Sequence, residues 1–534
     1  MPKMDTKNNN NFYNKDYEIP GEVVKFVGFM KKLFDTKNVE ELQLAYNQGF
    51  ADINDKYYSE KAWPHPSSIE KIIPESKSNF MIVYKEIYYR DIYHKNPKKS
   101  LPLNVQCESF SNFKDFFALL LNTEENEPAN FVLPGNWIWD IIEGFINQYV
   151  SFCHYKTNPS LRNSEENKEL EEIEKNQNSW DIYTVLNILY SLISKAQIHE
   201  QLKAIKEGNN PDDFADVFGK NHLYFKVGYF SMIGLLRLQV HLSDYHEALE
   251  SIRYLNIEPK GLFSTVPNCY VTVHYYIAFC HMMMRNYCEA IKIFEISSLY
   301  IQKITNMYAL QHPSNVKKNK ELDFIGKFHE KILILLAICL TITPQTVEDS
   351  VKTLFLDKYD EAFTRMSNGE ISEFEKSFIL GAPKFVSPNS VTYENNSISR
   401  QALQRQCSAF ISGMKGQIWT PVVRSYLKLY NSLSVDKLAH LMNITSEETI
   451  PKLLIYKKST TSLGKFSETL KNTDDDDLTL DLNFYIDNET INIADTRVTR
   501  NVSDYFLKSS LKFKALTDKA KAINLTGKCH SKKK

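Results

Sequence analysis

Cysteine, histidine and paired carboxylates are the residues of this chain that could do chemistry, and their spacing decides which chemistry is open to them. Cys280-His281 with Cys288 invites a metal site. A structural zinc site takes four ligands, commonly in C-x-x-C pairs. The eight cysteines stand at 107, 153, 269, 280, 288, 339, 407 and 529, so no such pair exists and no fourth ligand has suitable spacing. Core packing is the expectation for Cys280 and Cys288. Cys153-His154 could be a nucleophile and its base, but neighbours on a helix point about 100° apart. There is no Gly-x-Gly-x-x-Gly, phosphate loop or Gly-x-Ser-x-Gly. The pairs Glu171-Glu172 and Glu447-Glu448 lie among polar residues, where a carboxyl is not tuned, and Asp474–Asp477 reads as a solvating run. No catalytic, cofactor or metal set emerges, and the expectation is a protein that is not an enzyme.

A second chemistry is charge. Nine lysines and a single acid, Asp518, occupy residues 508–534. Lys508, Lys512, Lys514, Lys519 and Lys521 are candidate RNA contacts, of the phosphate-bound, sequence-blind kind. Against this, the 534-residue chain carries 64 basic and 65 acidic side chains, a formal charge of −1, so no global field draws nucleic acid. Length allows two or more packed units. Scarce Gly (17) and Pro (19) suit helices, and 30 Tyr with 32 Phe make aromatic helix contacts the rule. The amino terminus has no hydrophobic signal region, and the strongest apolar run, Ile332–Leu340, is about half of a bilayer span. Reduced thiols, no membrane and a cytoplasmic location are expected.

The elements that must position these groups read as mainly α. Residues 1–19 are polar and expected to be disordered. From 20 to 160 the pattern is helical: Val23, Val24, Val27, Met30, Leu33 and Phe34 form one stripe, Phe80–Tyr93 a second, and Leu133–Tyr149, opened by Pro134, a third. Ser164–Ser179 holds six glutamates and predicts a solvated helix or inserted loop. Residues 180–300 contain a repeat. Asp244-Tyr-His-Glu-Ala-Leu and Asn286-Tyr-Cys-Glu-Ala-Ile match position by position, each after an apolar helix, Tyr229–Leu242 and Tyr275–Met284. Asp or Asn would cap the second helix of each pair, and the small Ala would let the pair close up. That logic is tetratricopeptide-like and predicts a helical-repeat solenoid. Helices follow at Leu322–Thr341, Val347–Met366 and Gln401–Met414, with 383–399 as an extended connection.

The carboxyl third ends in a different module. Pro421–Asn431 is helical in pattern; Ser434 caps a second helix, Val435–Met442, that Asn443 stops; Thr445 and Glu448 have capping-box spacing for a third. Pro451 suggests that this third helix starts near Thr449, and a polar loop is expected over Leu463–Asp481. Two alternating segments around Asp487-Asn488-Glu489 then put Phe484, Ile486, Ile491 and Ile493 on one buried face. Three helices, a hairpin and a last helix describe a winged helix, about 421–498, followed by a terminal helix. Glu447 and Glu448 open the helix that would enter a DNA groove, and Leu453–Tyr456 are apolar, so this helix is expected to pack against protein. Val502, Tyr505, Phe506 and Leu511, with Leu516, are expected as the stripe of the last helix. With the hairpin residues they form the candidate partner interface.

Several segments also resemble a known family. Tyr84-Lys-Glu-Ile-Tyr-Tyr-Arg-Asp-Ile-Tyr93, Leu133-Pro-Gly-Asn-Trp-Ile-Trp-Asp-Ile-Ile142, Gly228–Leu238, Ser231–Asp244 running into Tyr245, Pro383-Lys-Phe-Val-Ser-Pro388, and Phe484–Ile493 running to Arg497 are similar, in order, to the L-subunit family of eukaryotic translation initiation factor 3. That family belongs to the PCI-domain scaffolds, which also build the proteasome lid and the signalosome. The resemblance implies a PCI domain over 301–515, a basic tail at 516–534, and no chemistry of its own. It further implies assembly with other subunits of the factor, subunits K and E first, and indirect contact with the small ribosomal subunit during pre-initiation complex assembly and mRNA recruitment. The competing expectations are a PCI-type RNA binder and a scaffold of another PCI complex.

Overall fold

The computed structural model describes residues 19–59, 61–70, 79–95, 101–122, 127–159, 162, 164–175, 180–256, 261–311, 320–387, 398–467, 483–487, 489–494 and 502–522; within these, the side chains at 164, 174–175, 311, 320–321, 398–400, 458–467, 483, 494, 502–508 and 522 lie outside the description. Two units divide the chain, Met1–Thr341 with Gln345–Ile411, and Ile342–Pro344 with Ser412–Lys534. Among the described residues the regular elements of the first are all helices: α1 (Gly21–Thr36), α2 (Val39–Leu44), a π turn, α3 (Phe50–Tyr57), α4 (Pro66–Glu70), α5 (Asn79–Lys95), α6 (Leu103–Leu121), α7 (Gly135–Thr157), α8 (Ser164–Lys175), α9 (Ile182–Ala196), α10 (Ile198–Glu207), α11 (His222–His241), α12 (Tyr245–Ser251), α13 (Pro267–Met283), α14 (Tyr287–Gln311), α15 (Lys320–Ile342), α16 (Asp349–Ser367), α17 (Ile371–Gly381) and α18 (Ile398–Lys415). The expected stripe of α1 buries Val23, Val27, Met30, Leu33 and Phe34. Ser164–Lys175 is a helix, anchored by the fully buried Leu170. The boundary expected at 300/301 falls inside α14, a single helix that runs across it.

The repeat is written in hydrogen bonds as well as in residues. α11 ends with Ser243 at φ +70°, and α13 ends with Arg285 at φ +64°, at matching positions. In each case the next two amides turn back on the helix: Ser243 N–H to Val240 O and Asp244 N–H to Gln239 O, then Arg285 N–H to Met282 O and Asn286 N–H to His281 O. These are Schellman closures, which satisfy orphan carbonyls at a helix end. The Asp244 carboxylate then accepts from Glu247 N–H to start α12. Ala248 and Ala290 are both wholly buried, as the close pairing of helices requires. The result is a mainly α, helical-repeat architecture in which α11 packs on α9, α7, α12 and α13.

α11 is enclosed on nearly every side, with 17 of its 20 residues buried. Two glycines permit this. A Cβ on Gly228 would stand 2.4 Å from the Ala196 Cβ of α9, and one on Gly234 would stand 2.8 Å from Ile142 of α7. Three of the buried polar side chains of α11 each reach a different neighbour. Arg237 donates to Glu143 (3.0 Å) and Asn147 (2.6 Å) on α7, and Gln239 donates to the Tyr190 hydroxyl on α9. His241 donates through Nδ1 to the Lys384 carbonyl, while Tyr276 of α13 donates to its Nε2. Lys384 belongs to the extended strap 382–387, which closes a further bond from Val386 N–H to the His241 carbonyl. Lys331 and Tyr275 hold the Ala382 and Gly381 carbonyls at the start of the strap.

Gly228→Ala is expected to destabilise the protein by about 1–3 kcal/mol, because the backbone of one helix must shift to admit the methyl. Gly326→Ala, in α15, would place its methyl in open space, with no atom within 4 Å. It should instead raise stability by up to about 1 kcal/mol through helix propensity. Urea midpoints of the two variants test the contrast. Burial, with the Arg237 charge second, lowers the His241 pKa from its ordinary 6.5 to about 3, and burial lowers His274 to about 4. Below pH 6.5 the unfolded chain takes up protons that the folded chain refuses. The contribution of these two histidines to stability is therefore full above pH 6.5 and falls toward pH 4, by about 1.4 kcal/mol per pH unit for each. His241→Asn should make that slope shallower; an unchanged slope in urea titrations between pH 7 and 5 would exclude His241 as a source.

Candidate partner interface

The second unit builds a small core from a compact order of elements: α19 (Thr420–Leu429), β1 (Ser432–Ser434), α20 (Val435–Met442), α21 (Ser446–Ser467), β2 (Asn483–Asp487), β3 (Thr490–Ala494) and α22 (Val502–Ala522). Val423, Leu427, Leu433, Val435, Leu438, Met442, Leu453, Tyr456, Phe484 and Ile491 fill it. The Ser434 hydroxyl accepts from Lys437 N–H to cap α20, and Asn443 closes that helix at φ +53°. The strands form an antiparallel sheet of order β1-β3-β2, with Ser432 opposite Asn492, Phe484 opposite Ile493 and Ile486 opposite Ile491. β1 is the strand that sequence reading misses. Three residues are too few to show alternation, and only the ladder to β3 defines it. Helix, strand, helix, helix and hairpin make a winged helix.

Two expectations on the third helix change. α21 begins at Ser446, not near Thr449, and runs through Pro451; its first turn closes with Glu448 and Thr449 N–H on the Thr445 carbonyl. Pro451 is the sixth residue of α21, past the amides that lack intrahelical partners, so the helix runs on without the one bond this residue would have made to the Glu447 carbonyl. The helix also continues to Ser467, into the stretch expected as a loop; residues 468–482, including Asp474–Asp477, lie outside the described residues. Of the apolar run, Leu453 and Tyr456 enter the core while Leu454 and Ile455 face outward. Tyr456 stacks on Phe484, and Lys457 donates to the Phe484 carbonyl.

The candidate interface residues separate into distinct groups. Phe484 (3% exposed) and Ile491 (0%) are core of the winged helix, and Ile493 packs partly against them. Ile486 departs from the expected buried face: at 37% exposed it stands at the hairpin end, opposite the turn at Glu489. Beside it Tyr485 is 58% exposed, on the strand that forms one edge of the sheet. On α22, Leu511 is 65% exposed, with Phe513 at 70% and Leu516 at 59%. Phe513 and Leu516 are three residues apart on one face, whereas Leu511 projects about 140–160° away from them at 100° per residue. Leu511 therefore does not continue the Phe513–Leu516 stripe. Lys512, Lys514, Lys519 and Lys521 are exposed on the same helix, and the side chains of Val502, Tyr505, Phe506 and Lys508 lie outside the description.

The candidate chemistry in the first unit is altered by burial. Cys153 and His154, though adjacent, both line a small cavity with Thr157, Phe385, Val386, Ser387 and Ala402. Burial pushes the Cys153 thiol up to about 11 and lowers the His154 pKa, the reverse of an activated pair. Cys280 is wholly buried and its thiol is likewise raised by burial. Sequence reading also misses Glu86. It is buried beside Arg90 (3.6 Å) and Trp137, and burial raises its carboxyl to about 6. Asp140 meets Arg90 at 3.3 Å and accepts from Tyr46, so this cluster ties α5 to α7 and the π turn. Among the described residues no group of three or more His, Cys, Asp or Glu is placed to hold a metal ion, and no helix is long and apolar enough to cross a membrane.

Fold and surfaces together define a helical-repeat protein ending in a winged helix, a class that presents surfaces. The family model described as "RNA polymerase I-associated factor PAF67" matches residues 105–513. The chain is 43% identical over 526 residues to eukaryotic translation initiation factor 3 subunit L of Caenorhabditis briggsae, covering 98% of this chain and 97% of that one. It is 33% identical to the proteins of that name from Danio rerio (90% and 82% covered) and Drosophila melanogaster (98% and 96%). The chain belongs to the family of eukaryotic translation initiation factor 3 subunit L.

Phe513→Glu and Leu516→Glu should leave thermal stability nearly unchanged, since exposed substitutions usually stay within about 0.5 kcal/mol. Ile491→Ala should cost about 2–5 kcal/mol. Differential scanning of the three full-length variants checks the division into surface and core.

Proposed function

We propose that the chain is a non-catalytic scaffold subunit of eukaryotic translation initiation factor 3, supporting assembly of the pre-initiation complex and mRNA recruitment to the small ribosomal subunit. The observation that carries this reading is similarity along nearly the whole length to proteins named as that subunit, together with a terminal module whose outward residues are apolar. The exposed edge of the wing (Tyr485, Ile486) and the exposed stripe of α22 (Phe513, Leu516) are suited to hold neighbouring subunits, with subunits K and E the first candidates. Such contacts draw their free energy from apolar area removed from water, at about 25 cal/mol per Å². Work in the cytoplasm and indirect contact with the small ribosomal subunit follow from the same reading.

A direct RNA contact is the second reading, favoured by the exposed Lys512, Lys514, Lys519 and Lys521 of α22. The two readings, and the polymerase named in the family description, separate in one experiment. Tagged full-length protein purified from cells should bring down initiation-factor subunits and small ribosomal subunits, and should do so with little dependence on salt up to moderate ionic strength. Recovery of RNA polymerase I subunits instead would overturn the scaffold reading. Binding to RNA that falls steeply with salt, and is lost on deleting 508–534, would favour the RNA reading.

A further inference from the structure

α14 departs from its own repeat. Its counterpart α12 ends at Ser251, and the 42-residue offset between the two copies places the equivalent point of α14 at Ile293. α14 nevertheless continues from Phe294 to Gln311, 18 residues further, or about 27 Å of added helix. The inner side of the extension is used: Phe294, Ser297, Ser298 and Ile301 are buried. On the opposite side runs a second apolar stripe that no described residue of the chain covers. Ile296 is 49% exposed, Met307 49% and Leu310 84%, with Leu299 half-buried among them. At 100° per residue Ile296, Leu299, Lys303, Met307 and Leu310 fall within an arc of about 80°. Their 3- and 4-residue spacing is that of a helix seam.

In the middle of the stripe stands Lys303, exposed and without an ion-pair partner among the described residues. We propose that this face of α14 is a docking seam for an amphipathic helix of another subunit of the assembly, one whose apolar ridge carries an Asp or Glu opposite Lys303. The apolar residues supply area, and the lone ammonium sets register, as a single polar residue does in a helix seam. Charge decides against the other occupants. A two-fold pairing of this seam with a second copy would bring Lys303 against Lys303. The chain's own α22 carries Lys512, Lys514, Lys519 and Lys521 along both flanks of its apolar stripe, against a single acid within 511–522, Asp518, a balance that repels an ammonium.

The inference rests on membership of the assembly proposed above, and the test separates the two. The assembled complex and the isolated full-length chain are exposed to hydroxyl radicals, and oxidation of Met307 is measured by mass spectrometry against Met282, which is wholly buried. Met307 should react freely in the isolated chain and fall to the rate of Met282 in the complex. Carbodiimide coupling should join Lys303 to a carboxylate on another polypeptide, within a segment of apolar heptad spacing. Lys303→Glu should abolish that cross-link and weaken the contact about tenfold or more, with the thermal transition of the chain unchanged. If the chain enters the complex while Met307 stays reactive, or if Lys303 couples to the same chain or to a second copy, the seam is refuted and the scaffold reading stands. If the chain enters no such complex, the scaffold reading itself fails and this inference with it.

Discussion

Enclosure of α11 is the constraint on which the first unit depends. A helix buried on nearly all sides gains apolar contact from every neighbour, but it must also let those neighbours come close and must satisfy its own polar groups. Gly228 and Gly234 meet the first requirement, toward α9 and α7 respectively. Arg237, Gln239 and His241 meet the second, each by bonding to a different helix or to the strap. Buried polar groups stabilise little in net terms but are costly to leave unmatched. They therefore select one arrangement of α7, α9 and α13 around α11 over others of similar apolar burial. The strap extends that selection to a segment 143 residues away, through the Lys384 carbonyl.

The second unit solves a smaller version of the problem with a different outcome. Its core is closed by ten residues drawn from every element between α19 and β3, and the aromatic stack of Tyr456 on Phe484 joins the third helix to the hairpin. What remains outside includes several large apolar residues: Ile450, Leu454 and Ile455 on α21, Tyr485 and Ile486 on β2. In a DNA reader the outer face of the third helix carries polar and basic groups. Here Glu447 and Glu448 open it and isoleucine and leucine follow, which suits a protein neighbour. The same asymmetry, an inner face serving the fold and an outer face left apolar, recurs on α14.

Much of this was legible in the residues. The period of the apolar positions gave the helices, and Asp244, Asn286 and Ser434 marked where helices start. Asn443 marked a stop, and the alternation of 484–493 gave the hairpin. Legibility failed where local signals were too short or pointed the wrong way. β1 has only one buried residue, Leu433, between two exposed serines, so no alternation is visible. Pro451 signals a break, yet α21 runs through it with one backbone bond missing. Leu511 looked like part of a stripe because it is apolar, although its angle around the helix places it apart from Phe513 and Leu516. Glu86 gave no signal at all, since a carboxylate within a helix reads as surface until its neighbours are known.

The sequence by itself determined the class of fold, the repeat, the winged helix and the family, because these rest on periodicity, capping and ordered motifs that are local along the chain. Only the tertiary structure decided which apolar residues are core and which are surface. Ile491 and Ile486 are alike in type and alternate alike, but one is sealed in the core of the winged helix and the other stands at the end of a hairpin. Ile301 and Leu310 lie on one helix, yet among the described residues only Ile301 has neighbours to bury it. Burial is set by what arrives from distant parts of the chain, and no spacing rule within a helix or strand records that arrival.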